Sequence, residues 1–209
     1  MGMSIHQTET NHWRLVLKCI TNNPVFLDRE WENIIEACKS GSREAQKELY
    51  FLTIGHLKNV LSRYCNDLND GQDIIQTTYL KIFEKIGQFD INKGNFNAWS
   101  AKIMINEYFQ LLRKRKIFFM IDDYAVEDIN GNEFNWAAFT IQEVRHVINN
   151  MSKSHATLLN LYFFEQFSFS ELSQLYNLKE SSVRGNLTRA KRAFENKWKS
   201  INQSKPQDL

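Results

Sequence analysis

Proline is almost missing from this chain of 209 residues: there are two, Pro24 and Pro206, so positions 25 to 205 lack the strongest helix breaker. Glycine is sparse as well, with eight. A sheet-rich protein with many tight turns draws on both, so their scarcity points to an all-helical fold. The three cysteines, Cys19, Cys38 and Cys65, are odd in number and widely spaced. That excludes a disulfide framework and a zinc knuckle and suits buried free thiols. The longest apolar run is the five residues 117–121, far short of the ~20 that cross a bilayer. No basic segment leads into an apolar one at the amino end. A cytoplasmic location with no direct membrane insertion is expected. The five histidines, His6, His12, His56, His146 and His155, are scattered, and no HExxH, Walker, glycine-rich or nucleophile-elbow motif occurs. A helical enzyme is disfavoured: no catalytic residue, no metal ligand and no cofactor is expected.

What is present is a packable chain with 43% apolar and 24% charged residues. Its net charge of +2 hides a pattern. Residues 28–116 are rich in both signs and end in four contiguous bases, Arg113, Lys114, Arg115 and Lys116. Residues 117–140 then carry no base but the acids Asp122, Asp123, Glu127, Asp128 and Glu133, with a turn signal at Asn130-Gly131-Asn132. From residue 141 bases predominate again. The expected organisation is an N-terminal extension (1–27), a helical domain (28–116), an acidic linker (117–140), a second helical domain (141–201) and a tail (202–209). The acids of the linker either aid solubility or suit a basic channel in a partner.

Helical spacing organises the first domain. Trp31, Ile34, Ile35 and Cys38 share a face, and Gly41-Ser42 ends that helix and caps the next, which carries Ala45, Leu49 and Leu52. Leu57, Val60, Leu61, Tyr64 and Leu68 continue the period to a stop at Asn69-Asp70-Gly71. Ile74, Ile75, Tyr79, Ile82, Phe83 and Ile86 then form a helix ending at Gly87. After a loop over 88–97, a helix over about 98–116 turns Ala101, Ile105, Tyr108 and Leu112 inward. Along its other edge run Trp99, Ile103, Asn106, Gln110 and Arg113 at steps of four and three. A ring, two amides and a cation in line suit nucleic acid; the alternative is a core tryptophan beside solvated amides.

The second domain begins with Val144, Val147, Ile148 and Met151 in one helix and His155, Leu158, Leu159, Tyr162 and Phe163 in the next. Ser168-Phe169-Ser170-Glu171 is a capping box opening a short helix, Asn177 suits a left-handed turn, and residues 180–198 form a last helix with Val183, Leu187, Ala190 and Phe194 inward. This is a helix-turn-helix pattern. The outer face of its last helix presents Arg184, Gly185, Thr188 and Lys191 with Arg189 and Arg192 beside them, a composition that approaches phosphates and a major groove.

These residues carry a resemblance. The stretch 45–116 resembles region 2 of bacterial RNA polymerase sigma factors of the sigma-70 family, and 144–198 resembles their region 4, in the compact arrangement of the extracytoplasmic function (ECF) group. Gly71-Gln72-Asp73-Ile74-Ile75-Gln76 is similar to the family's Ala-Glu-Asp-apolar-apolar-Gln. Phe83, Phe89-Asp90, Phe96, Trp99, Asn106 and the basic cluster follow in family order. Phe169-Ser170-Glu171-Leu172-Ser173 and the run 182–191 are similar to the family's Tyr-x-Glu-Ile-Ala and Thr-Val-Lys-Ser-Arg-Leu-x-Arg-Ala-Arg. Gln110, Gly185 and Asn186 depart from the usual Asp, Ser and Arg.

The resemblance implies a subunit that binds core RNA polymerase, recognises promoter DNA and opens it, making no covalent bond itself. Asp73, Gln76 and Phe83 would dock on the polymerase. Phe89, Phe96, Trp99 and Asn106 would take a base flipped from the upstream edge of the bubble at the -10 element, where Gln110 would also bind, with Arg113, Lys114, Arg115 and Lys116 on the neighbouring backbone. Ser182, Arg184, Gly185, Thr188 and Arg189 would bind the -35 element. An anti-sigma partner is expected on the same ground. The connector fits: 24 residues stretch to at most ~80 Å, against ~70 Å between sites two turns of B-DNA apart. The alternative is a helix-turn-helix transcriptional regulator that acts without polymerase and grips duplex DNA tightly alone.

Overall fold

The computed structural model describes residues 28–116 and 140–203, which fall into two compact units. The fold is all-α; no strand occurs among the described residues. The N-terminal extension, nearly all of the acidic linker and the end of the tail (1–27, 117–139 and 204–209) lie outside the described residues.

The first unit holds four helices: α1 (Asp28–Lys39), α2 (Arg43–Leu61), α3 (Leu68–Lys85) and α4 (Phe96–Lys114), with a single 3-10 turn, Ile86–Gln88, after α3. Helix α1 ends as the sequence implied. Gly41 takes φ +86°, a left-handed value that costs a residue with a side chain, and Ser42 then accepts the Ala45 N–H to open α2. Leu49, Leu57, Ile82, Met104 and Ile105 are fully buried where α2, α3 and α4 meet. Several polar groups inside this core find partners. Thr53 donates to the Leu49 carbonyl at 2.7 Å and lies 2.8 Å from the Tyr79 hydroxyl, while Tyr108 donates to the Tyr64 carbonyl at 2.7 Å. Lys81 of α3 reaches Glu107 of α4 at 2.5 Å.

Two boundaries differ from the sequence reading. Asn69-Asp70-Gly71 is no stop; it is the first turn of α3, because the Asp67 carboxylate accepts the N–H groups of Asn69 and Asp70 at 2.9 Å each. A first turn has no internal partners for its N–H groups, so residues that favour turns are tolerated there once a cap supplies an acceptor. Leu68, placed on the inward stripe of the preceding helix, is instead 83% exposed. Helix α4 starts two residues early, since the Asn95 side chain accepts from Asn97 and Ala98.

The second unit holds α5 (Ile141–Asn149), α6 (Lys153–Leu159), α7 (Phe169–Tyr176) and α8 (Glu180–Gln203). Between α6 and α7 the backbone widens into a π-helical turn, Asn160–Phe164, that the sequence reading missed. Residues 157–165 are all buried, so no polar face marks where one helical spacing gives way to another. Gln166 at φ 56° ends this segment, with the Phe167 N–H on the Leu161 carbonyl. Helix α7 opens on the expected capping box of Ser168 and Glu171 and closes on left-handed Asn177, with the Leu178 N–H on the Ser173 carbonyl. Helix α8 runs five residues further than expected, and Val183, Ala190 and Phe194 are fully buried against its neighbours.

Candidate nucleic-acid interface

On α4 the expected edge exists: Asn106, Gln110 and Arg113 are exposed and Trp99 and Ile103 half-buried, in one line down the helix. Asn106 spends one N–H on the Lys102 carbonyl at 2.8 Å, which sets the direction of its amide. Trp99 rests on a built aromatic floor. Phe89 lies 5.2 Å and Phe96 5.5 Å from its ring, Phe89 and Phe96 meet edge to face at 5.3 Å, and Trp31 of α1 stacks on Phe96 at 5.8 Å. Phe89 and Phe96, expected to meet DNA themselves, are 4% and 5% exposed. These rings close the core where α3 hands over to α4, so of the three only Trp99 reaches the surface. Trp31 was missed as part of this site because its spacing on α1 looks like ordinary core. In the loop below, Asp90 is held beneath the usual carboxylate range by the Asn92 N–H and by Lys93.

The basic cluster does not act as one block. Arg115 makes a bidentate pair with Asp70 of α3 at 2.5 and 2.6 Å, so its guanidinium faces the protein. Arg113, Lys114 and Lys116 are exposed. Lys116 adopts φ 55°, so the chain turns sharply as it leaves α4.

In the same unit, α2 and α3 line an open groove of about 680 Å³. Tyr50, Leu61, Ile75, Tyr79, Leu80 and Phe83 form its apolar wall, with Gln72 and Gln76 at the rim. Asp73 and Gln76 are exposed and Phe83 half-buried, so the three expected docking residues share α3 with this groove. Leu80, 60% exposed, was overlooked. The signal was its position off the Ile74, Ile75, Tyr79, Ile82 stripe, where an apolar residue serves no internal packing.

In the second unit, α7 and α8 are joined by the three-residue turn 177–179. Arg184 and Thr188 are exposed on α8, and Ser182 and Arg189 half-buried. The Arg184 guanidinium sits 3.9 Å over the Phe169 ring and 3.4 Å from Glu180. Arg189 donates to the Asn186 side chain at 3.2 Å, and Asn186, 6% exposed, donates to the Ser182 carbonyl. Gly185, expected on the outer face, is buried, since it has no side chain to stand clear of its neighbours. Lys191 reaches over Tyr162 and Phe163 at 6.0 and 5.7 Å. Among the described residues no cluster of histidine, cysteine or acidic side chains forms a metal site, and no helix is long and apolar enough to cross a membrane.

Residues 52–117 match the family model for Sigma-70 region 2, so the first unit is a domain of that class. The chain is similar to the RNA polymerase sigma-H factor of Pseudomonas aeruginosa (22% identity over 177 residues, 78% of this chain and 91% of that one). It is also similar to two Bacillus subtilis proteins. One is the ECF RNA polymerase sigma factor SigW (18% over 180 residues, 80% and 96%), the other the RNA polymerase sigma factor SigV (23% over 146 residues, 69% and 81%). Among solved structures it is similar to the sigma factor RpoE of Bartonella quintana in complex with the anti-sigma factor NepR (TM-score 0.43, 18% identity, 73% and 96% covered). Over most of its length the chain is similar to RNA polymerase sigma factors, one of them of the ECF group.

Proposed function

We propose that this chain is a dissociable cytoplasmic initiation subunit. It binds core RNA polymerase, brings it to promoters through two DNA-contacting modules and promotes strand opening, while the polymerase makes the phosphodiester bonds. The observation that carries this is the edge of α4, where exposed Asn106, Gln110 and Arg113 continue a line from Trp99, itself propped on buried Phe89 and Phe96. A flipped base stacks on Trp99 and is hydrogen-bonded by the Asn106 amide, offsetting the few kcal/mol of unstacking. Arg113, Lys114 and Lys116 neutralise the adjacent backbone without reading sequence. Arg115 is better assigned to Asp70.

The groove beside Leu80 and Phe83, rimmed by Gln76 and with Asp73 on the same helix, receives the polymerase. Helix α8 lies in the major groove of the upstream element with Arg184 and Thr188 toward the bases and Ser182 and Arg189 toward phosphates. Gly185 contributes only closeness of backbone. Similarity to sigma factors adds an inhibitory anti-sigma partner as the expected regulator. The test is to mix the full chain with core RNA polymerase and follow run-off transcription from a genomic library. Promoter-specific transcripts and co-elution are expected; a chain that neither co-elutes nor stimulates initiation removes the function. A chain that instead grips duplex DNA firmly without polymerase points to the autonomous regulator.

A further inference from the structure

A long arginine side chain sampling many rotamers reads a base edge poorly, because ordering it opposes binding. Arg184 is not in that condition. Its guanidinium carbon lies 3.9 Å over the centre of the Phe169 ring, and its Nη2 lies 3.4 Å from Glu180 one turn earlier on α8. The head is therefore held by an aromatic face and a carboxylate, while the side chain stays 58% exposed. A ring that close to the guanidinium carbon covers one side of the head, and the Glu180 contact at 3.4 Å takes at most one of the two Nη2 N–H groups, so the remaining N–H groups stay available. Such N–H groups are what form two parallel hydrogen bonds to guanine O6 and N7.

The ring beneath it is itself fixed. Phe169 is the first residue of α7, directly after Ser168. The Ser168 N–H donates to Glu171 at 2.7 Å and the Glu171 N–H donates to the Ser168 hydroxyl at 3.2 Å, locking the backbone on both sides of the ring. Behind it stands Tyr162, 5.3 Å away and 3% exposed. Tyr162, Phe169 and Arg184 form a row that starts in the core and ends at the surface.

We propose that Phe169 is a specificity-determining positioning residue: it presents the Arg184 guanidinium edge-on to one base pair of the upstream promoter element. This rests on the sigma-factor reading of α8. Phe169 touches no base; it acts through Arg184.

The experiment uses the full chain assembled with core RNA polymerase, transcribing a promoter library with a randomised upstream element, and reads base preference position by position. The variants are Arg184→Ala, Phe169→Leu, Phe169→Tyr and the Phe169→Leu/Arg184→Ala double variant. Arg184→Ala is expected to cut discrimination at one position by about tenfold. Phe169→Leu should relax that same position several-fold and no other, Phe169→Tyr should restore it, and the double variant should be no worse there than Arg184→Ala. A ratio between bases within one library is insensitive to how much protein is folded, so a loss of packing lowers all positions together. If Phe169→Leu keeps full preference at the position Arg184→Ala relaxes, or weakens all positions evenly, Phe169 has no positioning role while the sigma reading stands. If Arg184→Ala relaxes no position, Arg184 does not read a base and the inference fails with it.

Discussion

At the scale of single residues, the first unit separates side chains that support from side chains that reach the surface. Phe89 and Phe96 are buried props, whereas Trp99 and Asn106 stand at the edge of α4. Replacing Trp99 or Asn106 by Ala is therefore expected to lower promoter opening by about tenfold while changing closed-complex formation by less than about twofold. Permanganate footprinting against gel-shift measurement distinguishes the steps, and equal losses in both would remove the captured-base role. His56 has a different consequence. Its Nε2 is buried without a partner, and burial first, then Arg63, lowers its pKa from the ordinary 6.5, against a backbone hydrogen bond at Asn97. Such a group binds its proton more readily in the unfolded chain, so native stability is intact above 6.5 and declines as pH falls from there toward the lower folded value. Unfolding midpoints taken from about pH 8 to about pH 5 should fall in the natural chain and fall less in His56→Gln.

At the scale of elements, helix ends do more than terminate. The start of α3 and the end of α4 are clipped together by Asp70 and Arg115, and the chain turns at Lys116 immediately afterwards. Asp70→Asn should release Arg115. Non-specific duplex binding by the holoenzyme should then tighten, and the slope of log affinity against log salt should steepen by about one, the contribution of a single phosphate contact. An unchanged slope would mean Arg115 cannot reach DNA even when freed. The π-helical turn at 160–164 illustrates an element set by burial alone, since water reaches no side of it and no stripe records its spacing.

At the scale of the molecule, the proposed function requires that core polymerase hold both modules at promoter spacing, because a small module by itself gains little avidity. The α2–α3 groove is the surface proposed for that contact in the first unit. Leu80→Ser should weaken co-elution with core polymerase by about tenfold, yet leave the unfolding free energy of the free chain within about 0.5 kcal/mol, since Leu80 is 60% exposed. A variant that loses stability instead would mark Leu80 as a packing residue.

Chain order and local chemistry determined the helical class, the Gly41-Ser42 and Ser168–Glu171 boundaries and the line from Trp99 to Arg113, because each depends on residues within a turn or two of one another. Tertiary structure alone decided that Phe89 and Phe96 face inward, that Arg115 belongs to Asp70 across 45 positions and that Phe169 lies under Arg184. Periodicity tells which side of a helix is apolar. Which distant side chain comes to meet it depends on how the helices cross, and no window along the sequence contains that angle.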